Sequence, residues 1–102
     1  MDPGIPDNVN ISDVVVSTAG RDRGEWFYVI QEEPLYLYLA NGKDRQLDKP
    51  KRKKRKHVQK VLRSETRVAE KIKQGNKVLN SELREDLAEL SQEIQSHNQG
   101  GF

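Results

Sequence analysis

The stretch Ser12-Asp-Val-Val-Val-Ser-Thr-Ala-Gly-Arg-Asp-Arg-Gly-Glu-Trp-Phe-Tyr-Val-Ile30 decides how this chain can fold. Residues 14–18 are β-branched or small throughout, and residues 26–30 are aromatic or β-branched throughout. Side chains of both kinds pack well on a pleated, half-buried surface. Between the two runs, Gly20 and Gly24 bracket Arg21, Asp22 and Arg23. Glycine reaches φ > 0 without a Cβ clash, so two glycines this close suit a tight loop. The stretch therefore predicts a hairpin, strands over 12–18 and 25–32, whose tip presents two guanidinium groups.

Toward the C-terminus, Pro34 breaks the second strand, and Leu-Tyr-Leu-Tyr-Leu-Ala over 35–40 alternates with a period of two. That alternation puts Leu35, Leu37 and Leu39 on one face of a third strand and Tyr36 and Tyr38 on the other. Asn41-Gly42 follows, the dipeptide favoured in a type I′ hairpin turn, so a fourth strand is predicted over 44–48, with Leu47 as its apolar contact and Pro50 as its end. Six consecutive basic residues fill 51–56, and a short fifth strand is predicted over 55–59. Strands this short, joined by tight turns, suggest a small barrel.

The tail differs in kind. Ser64 can cap a helix carrying Val68 and Ile72, with Gly75 as its stop. Asn80 or Ser81 can cap a second, whose Leu83, Leu87, Leu90 and Ile94 form one narrow apolar stripe. Helices with such thin stripes do not fold alone, so they must dock on each other, on the β domain or on a partner; a stripe under two full heptads favours packing within the chain over a dimer seam. The predicted organisation is an unstructured lead over 1–10, a β domain over 11–62 with its basic segment at 49–60, and a helical extension over 63–102 with a disordered end.

Composition narrows the function. Of 102 residues, 33% are hydrophobic and 33% charged, so only a small core can be buried. Cysteine is absent, which excludes disulfides, thiol catalysis and cysteine-based zinc sites. No apolar run suits a secretory leader or a membrane span, and a cytoplasmic protein is expected. His57 and His97 lie on separate segments, and no phosphate-cradling glycine loop or nucleophile elbow is present. Neither an enzyme nor a bound cofactor or metal is expected.

Charge is unevenly spread. Residues 1–40 hold two basic and seven acidic side chains, residues 41–63 eleven and two, and residues 64–102 five and seven. So dense a positive block is the footprint of a polyanionic partner. Lysine and arginine on phosphates release condensed counterions, and arginine adds a planar fork that also stacks on bases. The candidate contacts are Arg21, Arg23 and Gly24 on the first loop, Lys43 and Arg45 after the Asn-Gly turn, Lys51, Arg52, Lys53, Lys54, Arg55 and Lys56 in the basic run, then His57 and Lys60. Tyr28, Tyr36, Tyr38 and Trp26 can offer stacking surfaces where exposed, although Trp26 and Phe27 read first as core.

The residues Val14-Val15-Val16-Ser17-Thr18-Ala19-Gly20-Arg21-Asp22-Arg23-Gly24 resemble the KOW motif, a strand, glycine-bracketed basic loop and second strand found in ribosomal proteins and NusG-type transcription factors. The continuation through Asn41-Gly42-Lys43-Asp44-Arg45 and Lys49-Pro50-Lys51-Arg52-Lys53 is similar to short bacterial KOW proteins, which resemble large-subunit ribosomal proteins of the archaeal and eukaryotic type. Many KOW loops carry a further glycine three residues after the position of Gly24. Phe27 stands there, which sets the chain apart from the elongation-factor branch. The resemblance covers about residues 11–62. It implies a mainly β fold, an SH3-like barrel with a short helical extension, binding RNA through its loops. Ribosomal RNA is the expected partner, with ribosomal proteins as neighbours and a monomer away from RNA. A protein-interaction adaptor using the barrel and the acidic tail helices is the alternative, and a third arrangement folds those helices over the basic block.

Overall fold

The hairpin opens a five-stranded antiparallel sheet. The computed structural model describes residues 9–62 and 66–99, with side chains omitted at 62 and 95–99. The strands are β1 (Val14–Ser17), β2 (Trp26–Glu32), β3 (Tyr36–Ala40), β4 (Lys51–Lys54) and β5 (Val58–Leu62), in the order β4-β3-β2-β1-β5. A single 3₁₀ turn, Arg55–His57, links β4 to β5. Helices α1 (Arg67–Gln74) and α2 (Asn80–Gln99) follow. The outcome is a mainly β domain with a helical extension, as expected. The expected barrel closure is not formed, because β4 and β5 are the two edges of the sheet and do not pair.

Both faces of the sheet are covered. Successive side chains on a strand point to opposite faces, so β2 divides its residues between two cores. Phe27 and Val29 join Val9, Val15, Leu37 and Leu39 in a cluster on one side of the sheet, with Val58 packed against it. Tyr28 joins Val14, Ala40, Val68, Ala69, Leu83 and Leu87 in a second cluster roofed by the helices, with Trp26, Ile30 and Leu90 alongside. A strand buried on both faces needs no polar alternation, which accounts for the unbroken apolar run of residues 26–30.

The roof is fixed by hydrogen bonds as well as packing. The Tyr28 hydroxyl donates to Asp86 of α2 and stands 3.0 Å from the Thr66 hydroxyl, which also donates to Asp86 (3.3 Å). Thr66 caps α1, accepting from the Ala69 amide at 3.1 Å. The expected cap, Ser64, lies outside the described residues. Gly75 ends α1 in the left-handed region (φ 73°), and the amides of Gly75 and Asn76 donate to the carbonyls of Ile72 and Lys71; that paired closure satisfies the orphaned last turn. At the start of α2, Glu82 reaches back to the Leu79 amide (2.9 Å), so Leu79 rather than Asn80 or Ser81 holds the cap position.

Several local expectations are corrected. Residues 44–48 form no strand, and the strand that pairs with β3 is the basic run itself, Leu37 opposite Lys53 and Leu39 opposite Lys51. The fifth strand begins at Val58, after the 3₁₀ turn, rather than at Arg55. Asn41-Gly42 is no type I′ turn, since only Gly42 has positive φ (78°). Asn41 instead uses its side-chain carbonyl, accepting from the amides of Lys43 (2.9 Å) and Arg45 (3.0 Å). Leu35 lies outside β3 and is 72% exposed, leaving Leu37 and Leu39 as the buried pair. Of the lead expected to be unstructured, residues 1–8 lie outside the described residues, as do residues 100–102 at the other end. Val9 is core, and Asn10 closes a turn with Asp13.

That turn contains Ser12, the one non-glycine residue with positive φ (78°) among the described residues. The Asp13 amide donates to the Asn10 carbonyl (3.1 Å). A four-residue turn with positive φ at its third position is of the kind that favours glycine there. The Ser12 hydroxyl is buried without a hydrogen-bond partner among the described residues.

Candidate nucleic-acid interface

The loop between β1 and β2 is two tight turns in series. The Arg23 amide donates to the Gly20 carbonyl and the Glu25 amide to the Asp22 carbonyl, while Gly24 donates back to Ser17. Gly20 (φ 88°) and Gly24 (φ 92°) supply the left-handed conformations. The turns send alternate residues opposite ways. Asp22 points inward and is 8% exposed, whereas Arg21 and Arg23 stay in solvent.

Asp22 is the hub of an ionic knot. Ser17 Oγ donates to Asp22 Oδ1 (2.7 Å), Lys53 Nζ donates to the same oxygen (2.7 Å) and to the Ala19 carbonyl (2.7 Å), and Lys51 Nζ lies 2.8 Å from Oδ2. Burial opposes ionisation of this carboxyl. The hydrogen bonds from Lys51, Lys53 and Ser17, with the charge of Lys53, outweigh it and hold Asp22 far below the usual carboxylate range. Lys51 and Lys53 share one face of β4 because they are two residues apart. The knot ties the β1–β2 loop to the β4 edge.

The rest of the basic run is also largely engaged. Arg52 lies over the Tyr36 ring, 3.6 Å from its centroid, and pairs with Glu33 at 3.1 Å. Arg55 donates to the Glu33 carbonyl (2.9 Å) and the Val9 carbonyl (2.9 Å), and pairs with Glu32 at 3.2 Å. Lys60 lies 3.4 Å from Asp13. Lys54 and Lys56 are exposed, and His57 is half-buried, its carbonyl accepting from the Thr18 amide (2.8 Å). Among the described residues no carboxylate of α1 or α2 pairs with the basic run, and the carboxylates described above as its partners, Asp13, Asp22, Glu32 and Glu33, come from the first half of the chain.

A second loop, 41–50, lies beside the first. Its start is held by the Asn41 side chain, and farther along the Leu47 amide donates to Asn80 Oδ1 (2.8 Å) at the head of α2. Gly42 fits there only because it has no side chain, since a Cβ would run into the backbone of Asn80 and Arg84. Lys43 and Arg45 are exposed on this loop, and neither has an ion-pair partner among the described residues.

Two concavities connect the loops. One is lined by Arg21, Arg45 and Lys51 with Asp22, Glu25, Asp44 and Phe27. Burial, and next the neighbouring Asp44 carboxylate, push the Glu25 carboxyl upward. The other, about 650 Å³, brings Gly24, Trp26 and Lys43 together with Arg84, Leu87 and Ala88 of α2. The structure thus gathers Arg21, Arg45 and Lys43 around adjoining hollows and turns Lys53 and Arg55 inward. Arg84 escaped the sequence reading because a single cation on an acidic helix carries no pattern. Its one signal is that it is the only lysine or arginine in the sequence of α2.

Among the described residues no group of histidine, aspartate and glutamate side chains is arranged to hold a metal ion, and no helix is long and apolar enough to cross a membrane. No known protein-family model matches the chain, and no match appears among curated proteins.

Proposed function

We propose that this chain is an RNA-binding module, an SH3-like barrel of the KOW kind with an open seam, acting in the cytoplasm on the ribosome or its RNA. The observation that carries the reading is the pair of adjacent loops whose cations, Arg21, Arg23, Lys43 and Arg45, stand exposed with no ion-pair partner among the described residues. Cations held on constrained loops without an ion pair inside the chain are ready to meet phosphates. Lys54 and Lys56 extend the same charge along the edge. The barrel reading is supported by the reach of Lys53 on the β4 edge to Ala19 and Asp22 in the β1–β2 loop and by the single 3₁₀ turn joining the two edges.

The test is binding of the full chain to ribosomal RNA fragments across a salt series. Affinity should fall steeply with salt. The double variant Arg21→Glu, Arg23→Glu should bind at least tenfold more weakly and show a shallower slope of log affinity against log salt. An unchanged affinity would remove the loop as the contact. A partner protein that co-purifies after RNase digestion, with no RNA bound, would favour the adaptor reading instead.

A further inference from the structure

The groove between the two loops and α2 differs from the rest of the cationic surface, because it joins charge to an apolar lining. We infer that it seats one unpaired nucleotide of a bound RNA, the base against the Trp26 indole and a flanking phosphate between Lys43 and Arg84. The inference rests on the RNA-binding reading and narrows it to a position and a strand state.

Three observations carry it. First, the lining has the composition a nucleotide needs. Trp26 is half-buried, packed against the helix-roofed core, and the remainder of it borders the groove beside Leu87 and Ala88. An aromatic ring next to basic groups is the arrangement on which bases stack while their backbone is neutralised. About 650 Å³ lies within the usual range for small-ligand pockets.

Second, Arg84 is hard to explain otherwise. It stands between Glu82 and the Glu85-Asp86 pair on an otherwise acidic helix, yet has no ion-pair partner among the described residues. It reaches away from α2 to the second loop, Nη1 lying 3.4 Å from the Gly42 carbonyl. That anchors one corner of the guanidinium at the groove and leaves its other donors for a phosphate fork.

Third, the opposite wall is clear. Nothing lies within 4 Å of where a Gly24 side chain would begin, so a ligand backbone can pass close to the loop. A duplex cannot use such a groove, because its bases are stacked on one another and leave no free face for the Trp26 ring. An unpaired nucleotide can.

Trp26 is the only tryptophan, so its fluorescence reports on the groove directly. The probe is a single-stranded uridine or adenosine tetranucleotide titrated into the full chain. Saturable quenching is expected. Arg84→Gln and Lys43→Gln should each weaken binding about threefold to tenfold and lower the salt slope by about 0.7, one phosphate contact on a single strand. Trp26→Leu, followed by anisotropy of a labelled tetranucleotide, should lose about tenfold, the order expected for a lost stacking partner. Ala88→Glu, at an exposed helix position, places a negative charge at the groove without touching the core and should abolish quenching, while Lys77→Gln should change nothing.

Absent quenching overturns the inference, as does quenching indifferent to Arg84→Gln and Ala88→Glu. A blunt RNA duplex that competes mole for mole overturns it too, as does a polyglutamate peptide that displaces the tetranucleotide. If ribosomal RNA still binds and depends on Arg21 and Arg23 while the groove variants are silent, only this inference falls. If ribosomal RNA does not bind at all, the RNA-binding reading falls with it.

Discussion

Two groups of cations, close in the fold, have opposite surroundings. On β4, Lys51 and Lys53 turn toward a single buried carboxylate, and Arg55 just beyond is bonded to two backbone carbonyls and Glu32. On the two loops, Arg21, Arg23, Lys43 and Arg45 face solvent. The difference shows that a run of like charges is not a uniform patch. Placed on a strand, it divides by the period of two, and one half can become internal structure if carboxylates elsewhere in the chain answer it. The lysines of β4 should then govern folding and the loop cations binding.

The strongest way to break that division is Asp22→Ala. It strands Lys53, which is 7% exposed, beside a second lysine. Removing one partner of a buried ion pair costs about 3 kcal/mol or more, so the urea midpoint should fall sharply. Gly42→Ala comes next. It alters no charge, but its methyl group has no room against the head of α2, and overpacking there should cost about 2 kcal/mol. Melting temperature and near-UV circular dichroism of Trp26 measure the loosened helix. RNA affinity should fall as well, because Lys43 and Arg45 lose their seat.

Acid offers a milder test of the same knot. A carboxyl depressed in the folded state contributes stability that is complete above the ordinary carboxylate range and lost as pH falls below it. Asp22 should therefore weaken the protein progressively below about pH 4, and a Lys53→Met chain should show a shallower acid loss in urea titrations. The smallest effect is expected from Arg21→Gln with Arg23→Gln, which should leave the urea midpoint unmoved while reducing RNA binding. Equal losses in both measurements would erase the contrast between the two groups.

Much of this architecture was legible in the chain itself. The valine and aromatic runs marked β1 and β2, the Leu-Tyr alternation marked most of β3, and Gly75 and the leucine stripe marked both helices. What failed was the strand assignment of the basic run. A strand of four cations is stable only with carboxylates supplied from Asp22 and Glu33, distant in sequence and visible only after folding. Asn41-Gly42 misled because the asparagine side chain stabilises a longer loop as readily as it joins a tight turn. At the candidate site, the exposure of Arg21 and Arg23 followed from the glycine bracket. The role of Asp22 between them did not, since nothing local distinguishes a spacer from a hub.

The helical roof has a practical consequence for anyone handling this molecule. Trimming it away just past β5 would not yield a minimal version of the protein. Val14, Tyr28 and Ala40, now fully shielded, would be laid open to water along with Trp26, and the tyrosine hydroxyl would lose Asp86. The remaining slab would offer other copies a sticky greasy flank, and precipitation could pass for failure to recognise a ligand.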